Sequence, residues 1–435
     1  MNKVKLGYCI SVTRGTTLSG EFYSEFGDRI RLTLGNFDYP RGGFKKNSSK
    51  KDIFFTGIVK EEFILKKGDI ITPLTEQVKG LIGETAKIPE DGKYIQSGDI
   101  GLVKPDLSKI DANFLYYLLP SNYVRAQLGN AAQQTKIRHT SPSKIMDCYV
   151  YLPELDVQKK IGSFFSDIDK KIQNNKKQIE TLESLAKTIY DYWFEQFDFP
   201  NEEGKPYKSS GGKMVWNEEL KREIPDGWEK SCFNELILTQ ISGDWGKEFA
   251  QKNYKHKAYC IRGTDFSSIN STENSEIPIR YILEKNLDKR LSDGDIIIEI
   301  SGGSPSQSTG RLSYITNKFL QRYDHPILVS NFCRTLRLKN IHDVFWIYLT
   351  WSRLYTNGVF FNYESKTTGI KNLMLDHILK SLSIVIPPLC YRENFYKVIS
   401  PFYFSIQNIK KENQELLSLK DFLIPLLMNG QVSIR

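Results

Sequence analysis

Two stretches of the chain carry apolar residues at steps of three and four, the spacing that lines one face of a helix. From Asp156 to Gln196 there is no proline, and the only glycine is Gly162. Apolar positions fall at Val157, Ile161, Phe164, Ile168 and Ile172, then at Ile179, Leu182, Ala186, Ile189 and Trp193. A second stretch, Tyr391 to Ile424, has Phe395, Ile399, Phe402, Ile406, Ile409, Leu416, Leu419 and Leu423. At 1.5 Å per residue these are rods of roughly 60 and 50 Å, too long to lie inside one small domain. The stripes are narrow, as in a coiled coil. A spacer is expected in which Ile161, Phe164, Ile168, Ile172, Ile179 and Leu182 meet Phe402, Ile406, Ile409 and Leu416. Asn175 and Asn413 interrupt the stripes. Either they are buried and set the register, at a cost in stability, or they face solvent.

The apolar pattern is written twice, and a repeat sets the architecture before any single element does. Tyr149–Leu155 reads YVYLPEL and Ser383–Leu389 reads SIVIPPL, each an apolar strand running into proline. Further on, Ile172–Lys177 (IQNNKK) answers Ile406–Lys411 (IQNIKK) at the same offset of 234. Upstream, Phe114–Leu119 answers Phe345–Thr350 at offset 231, and Gly68-Asp69-Ile70 answers Gly294-Asp295-Ile296 at offset 226. The drift places insertions in loops of the globular parts and none in the helices.

Strands are expected at Asp69–Thr72, Ile100–Val103 and Cys148–Leu152, and in the second half at Asp295–Ile300 and Ser383–Ile386. Asp111 is a good N-cap for a helix over Asn113–Leu119, and a second helix is expected over Asp343–Leu354. Pro200–Asp226 has no helical period and reads as a linker, with Trp216 and Trp228 pinning it to a surface. The fold class is α+β. Mixed α/β domains occupy 1–152 and 227–387, long helices 153–200 and 388–435, and a linker 201–226.

Composition narrows the class. The 435 residues suit two or three domains, and 40% hydrophobic with 26% charged residues fits folded chains. No run of about 18 apolar residues appears, so no membrane association is expected. No secretory signal is legible at the N-terminus, and a cytoplasmic location is expected. The six cysteines never form C-x-x-C, so no zinc ribbon or redox pair is signalled. The net charge of +9 is unevenly placed: residues 1–155 carry +5, residues 227–390 carry +4, and helix 156–196 carries none. Positive charge confined to the globular parts suits phosphate contact, although so small an excess is weak alone.

Catalytic signatures are missing. There is no glycine-rich turn for S-adenosylmethionine and no Asn/Asp-Pro-Pro-aromatic loop. Pro387-Pro388 lies between isoleucine and leucine. No P-loop occurs. A nuclease of the D-x(n)-E-x-K kind would need a lysine near Asp293, Asp295 and Glu299, but position 301 is Ser301. The five histidines never fall at ligand spacing, and no metal site is expected.

Loops that read DNA mix base-reading amides and arginines with phosphate-binding cations. Tyr39, Arg41, Lys45 and Lys46 lie in a basic, glycine-rich stretch. Gln133, Gln134, Lys136 and Arg138 form a second. At offset 233 its counterpart holds Lys366, Thr367, Thr368, Lys371 and Asn372. Ser304, Gln307 and Arg311, in SPSQSTGR, make a further candidate. Each can equally be a solvated turn.

Together these stretches resemble the specificity subunit of Type I restriction–modification systems (the HsdS family). LPELDVQKKIGSFFSDIDKKIQNNKKQIETLESLAKTIYDYWF looks like that family's central helix. PYKSSGGKMVWNEELKREIPDGWE is similar to the segment leading to its second recognition domain. TTGIKNLMLDHI, IPPL and KKENQELLSLKDFLIPLLMNGQV resemble its C-terminal repeat. The resemblance covers essentially the whole chain. One departure is Cys390–Phe395, where the family has an E-Q-K-K-I-like start.

The resemblance implies two target-recognition domains, each reading half of a split sequence in double-stranded DNA. It implies antiparallel helices acting as a ruler, with pseudo-twofold symmetry between the repeats. Two methyltransferase (modification) subunits and the restriction (translocase and nuclease) subunits would be the protein partners. S-adenosylmethionine, ATP and Mg2+ would be bound by those partners, and this chain would have no catalytic residue. The competing readings are a stand-alone DNA-modifying or DNA-cleaving enzyme, and a coiled-coil scaffold that reads no DNA.

Overall fold

The computed structural model describes residues 2–39, 42–45, 52–76, 80–130, 138–266, 269, 277–302, 304, 307–367 and 370–432. They fall into two units, Met1–Gln173 with Glu415–Arg435, and Asn174–Gln414.

In the first unit Ile70–Pro73 is buried on both faces, as its run of apolar residues requires. It lies inside an antiparallel sheet ordered Ile10–Arg14, Ile100–Pro105, Ile70–Pro73, Ala86–Lys87. A smaller sheet brings Ile30–Arg31 beside Tyr94–Ile95 in parallel. Asn2–Lys5 pairs with Tyr149–Leu152. The helix Ala112–Leu118 starts at Asp111, whose carboxylate accepts the Phe114 N–H at 2.9 Å. Its Phe114, Leu115 and Leu118 share a core with Ile161, Phe165, Ile168 and Ile172 of the long helix Leu155–Tyr190. Leu427 and Met428 of the last helix, Leu389–Met428, join the same core. Gly162 faces the Asp111 cap so closely that a Cβ would meet Phe114 N at 2.6 Å. The one glycine of the helical stretch is therefore a packing requirement.

The second unit has the same plan. Its sheet is ordered Ile237–Ser242, Cys333–Leu338, Ile296–Glu299, Leu312–Tyr314, again antiparallel. Glu229–Ser231 pairs with Ile384–Ile386, and Tyr254–Ile261 lies parallel to Ile327–Val329. The helix Val344–Thr356 packs on this sheet through Phe345, Trp346 and Trp351. The repeated Gly-Asp-Ile now has a cause. Gly68 and Gly294 sit at φ 88° and 80°, and the following Asp69 and Asp295 accept the N–H groups of Lys66 and Ser292 at 2.7 Å. The same turn feeds the same strand in both units.

Two expectations need correction. Phe164 is 37% exposed, and Phe165 is fully buried in its place. Steps of four, three and four through Ile161, Phe165, Ile168 and Ile172 are as regular as those through Phe164, and the position of Tyr117, whose ring centroid is 5.2 Å from that of Phe165, decides between them. Trp216 does not pin the linker. It is 53% exposed on a hairpin of Met214–Asn217 and Arg222–Pro225. Trp228 is buried and stacks on Phe199, with centroids 4.9 Å apart.

Both asparagines of the apolar stripes are buried. Asn175 Nδ2 donates to Asn413 Oδ1 at 2.8 Å and to Glu412 Oε2 at 2.7 Å. Asn175→Leu alone is expected to lower stability by about 1–3 kcal/mol, because Asn413 then stays buried without its donor. Asn175→Leu with Asn413→Leu should recover part of that loss, since no asparagine then stays buried without its partner, while Glu412 loses the same donor in the single and the double variant. Urea midpoints of the singles and the pair form a double-mutant cycle that checks this.

Among the described residues no helix is long and apolar enough to cross a membrane.

Candidate nucleic-acid interface

In the second unit an open cleft of about 670 Å3 is lined by Trp245, Arg262, Glu299, Arg311, Asn331 and Phe332 among others. Three of the expected DNA-binding residues, Ser304, Gln307 and Arg311, line it too. The loop leading to Arg311 is held from beneath. Thr309 donates its N–H and hydroxyl to Glu364, Trp351 Nε1 donates to Gly310 O at 2.8 Å, and Tyr355 donates its hydroxyl to Ser308 O.

Two guanidiniums in the cleft are gripped by carboxylates. Arg311 donates Nε and Nη2 to Glu299 at 2.8 and 2.7 Å. Arg262 donates Nε and Nη2 to Asp265 at 3.0 and 2.8 Å. Glu299 and Asp265 are buried, and their hydrogen bonds hold both guanidiniums above the ordinary arginine range. Gly263 leaves the room for this, because a Cβ there would come within 2.4 Å of Glu299 Oε1. Trp245 is fixed by Arg280, whose guanidinium lies 4.4 Å from its ring centroid. Phe332 is 55% exposed in the turn after Ser330-Asn331. Sequence reasoning missed Trp245, Arg262, Asn331 and Phe332. The available signal was the pairing of Arg262-Gly263 with Asp265 and of Gly310-Arg311 with Glu299.

The other expected contacts are placed less favourably. Lys371 is turned into an ion pair with Glu364 at 3.0 Å and is 13% exposed, so its charge is already matched. Asn372 accepts from Ser301 at 2.6 Å. The backbones of Lys366 and Thr367 pair with Lys371 and Ile370. In the first unit Lys45 is exposed, and Tyr39 lies under Arg125 with 5.9 Å from the guanidinium to its ring centroid. The backbones of Arg138 and Glu76 pair across two strands, the position that Lys371 and Gly302 hold in the second unit. Arg41, Lys46, Gln133, Gln134, Lys136 and Thr368 lie outside the described residues.

The carboxylates weighed for a nuclease are engaged structurally. Asp295 holds Arg337 at 3.0 and 2.9 Å, and Glu299 holds Arg311. Asp293 accepts from Asn317.

Two units of one topology, each with polar loops around a sheet, make this an internally duplicated protein. The family described as the Type I restriction modification DNA specificity domain matches residues 34–184 and 225–418. The chain belongs to that family. It is 25% identical over 334 residues to the Type I restriction enzyme MjaIX specificity subunit of Methanocaldococcus jannaschii, spanning 74% of this chain and 69% of that one. It is 27% identical over 139 residues to the HindI specificity subunit of Haemophilus influenzae, 31% of this chain and 29% of that one. The crystal structure of the Type I restriction–modification S subunit from M. genitalium has the same fold, with a TM-score of 0.58 at 15% identity over 98% of this chain and 96% of that chain.

Proposed function

We propose that this chain, a specificity subunit with two target-recognition domains, reads one half of a bipartite duplex sequence with each unit. The long helices set the unread spacer, pairing antiparallel as a coiled coil that relates the units by a pseudo-twofold axis. The observation that carries this reading is the duplication of a whole topology, down to the Gly-Asp turn before Ile70 and Ile296. Two copies of one reading head suit a split target better than one catalytic site does.

Two methyltransferase subunits would dock on the helices and recognition domains, and restriction subunits would join that core. S-adenosylmethionine, ATP and Mg2+ would then be bound by those partners, in the cytoplasm. The candidate DNA contacts remain Tyr39, Arg41, Lys45, Lys46, Gln133, Gln134, Lys136 and Arg138 in the first unit. In the second unit Gln307 and Arg311 carry the case, while Lys371 is the weakest because Glu364 already neutralises it.

Mapping methylated bases genome-wide, with and without this gene, tests the reading. A split motif should vanish with the gene, and a methylation pattern unchanged by its loss would refute the proposal. The ruler has its own test. Four residues inserted after Gln173 together with four after Gln414 should add roughly 6 Å to each rod. At about 3.4 Å per base pair, the tolerated spacer should grow by one or two pairs. Motif mapping of the double insertion reads the spacer directly.

A further inference from the structure

We propose that Arg311 and Arg262 are guanine-reading residues of the second recognition domain, pre-set for the task by Glu299 and Asp265. The inference rests on the specificity reading above and goes beyond it to named residues and a base.

A guanidinium has two edges that can make paired hydrogen bonds. The side edge uses Nε and one terminal nitrogen, and the end edge uses both terminal nitrogens. Glu299 occupies the side edge of Arg311, and Asp265 that of Arg262. Each pairing leaves Nη1 and the outer N–H of Nη2 aligned as a second fork. That fork matches the O6 and N7 acceptors of guanine in the major groove. The side chains of Arg311 and Arg262 are 25% and 44% exposed, while their carboxylates are 4% and 2% exposed. The clamp is therefore inside and the guanidinium end is reachable. Arg337 is a useful contrast. Asp295 holds its side edge too, but its Nη2 also donates to Arg290 O and Ser292 Oγ, and it does not line the cleft.

Phosphate is the rival ligand for two arginines in one cleft. Charge decides against it. Two guanidiniums matched by two carboxylates sum to zero, so the cleft floor offers a directional hydrogen-bond pattern without net attraction for an anion. Trp245 and Phe332 add apolar wall, which suits base edges better than a phosphate.

The test is binding-site selection from random duplexes, using the full chain with its co-expressed modification subunit. The half-site that survives exchange of residues 1–152 belongs to the second domain, and it should contain guanine. Arg311→Lys keeps the charge and loses the fork. It should relax discrimination at one G·C pair by roughly 5- to 150-fold. The other half-site should be unchanged, which also reports that the variant is folded. Arg262→Lys should do the same at a different pair and decides the matter should Arg311→Lys not fold. The salt dependence of binding should keep its slope in both, whereas loss of a phosphate contact lowers it by about one. Arg337→Lys should alter no base preference.

A second half-site without any G·C pair would overturn the inference while leaving the specificity reading intact. So would variants that weaken all sequences alike with a reduced salt slope, or that behave like Arg337→Lys. Selection of no sequence at all would remove the specificity reading and the inference together.

Discussion

Replacing residues 1–152 with the matching segment of another specificity subunit will switch one half of the split target and leave the other half as it was. The segment is a coherent piece of structure. Asn2–Lys5 pairs with Tyr149–Leu152, so the transplant carries both strands of its own closing ladder. Both of its four-stranded sheets are complete within those residues. The seam to respect is the core shared by Phe114, Leu115 and Leu118 with Ile161, Phe165 and Ile168, whose helix stays behind. The effect should be large, because each mismatched base pair costs about 1–3 kcal/mol and a half-site has several. Methylation mapping of the hybrid reads both halves at once. If both halves persist, residues 1–152 do not read DNA and the scaffold reading takes over.

Phe165→Ala will cost about 3–5 kcal/mol. Phe164→Ala, one residue away, will cost under about 1 kcal/mol. Phe165 is fully buried against Tyr117 in the core of the first unit, and Phe164 lies outside that core and is 37% exposed. Urea unfolding of both variants, with amide exchange over Ala112–Leu118 as a local reporter, separates them. Equal losses would mean that the helix face is turned from the one described.

These neighbouring phenylalanines show where the sequence was legible and where it was not. Helical period alone tolerates either residue, since steps of three and four through one phenylalanine are as regular as through the other. What selects Phe165 is the position of Tyr117 and Phe114, which comes from a helix about fifty residues earlier in the chain. The candidate site divides the same way. Gln307 and Arg311 were visible as amide and cation in a glycine-bearing loop. Arg262 and Phe332 were not, because the strands that bring them to Arg311 are far apart in sequence. Lys371 reads in sequence as a cation for DNA, and Glu364, which folding brings beside it, neutralises it.

Proline shows the limit from the other side. Pro401 lies within the helix Leu389–Met428, where local rules cost a helix about 3 kcal/mol. The helix continues because Ile399 and Tyr403, on either side, are buried in the core of the second unit.

The duplication, the two long helices, the turn chemistry at Asp69 and Asp295 and the cap at Asp111 were all decided within the chain's own order of residues. Each depends on contacts between near neighbours or on a repeat that can be counted. The burial of Asn175 against Asn413, the side-edge clamps on Arg262 and Arg311 and the neutralisation of Lys371 were decided only by folding. For Asn175, Arg311 and Lys371 the deciding partner arrives from another element, whereas Asp265 lies only three residues from Arg262 and what folding adds there is the burial of the carboxylate and the approach to Arg311.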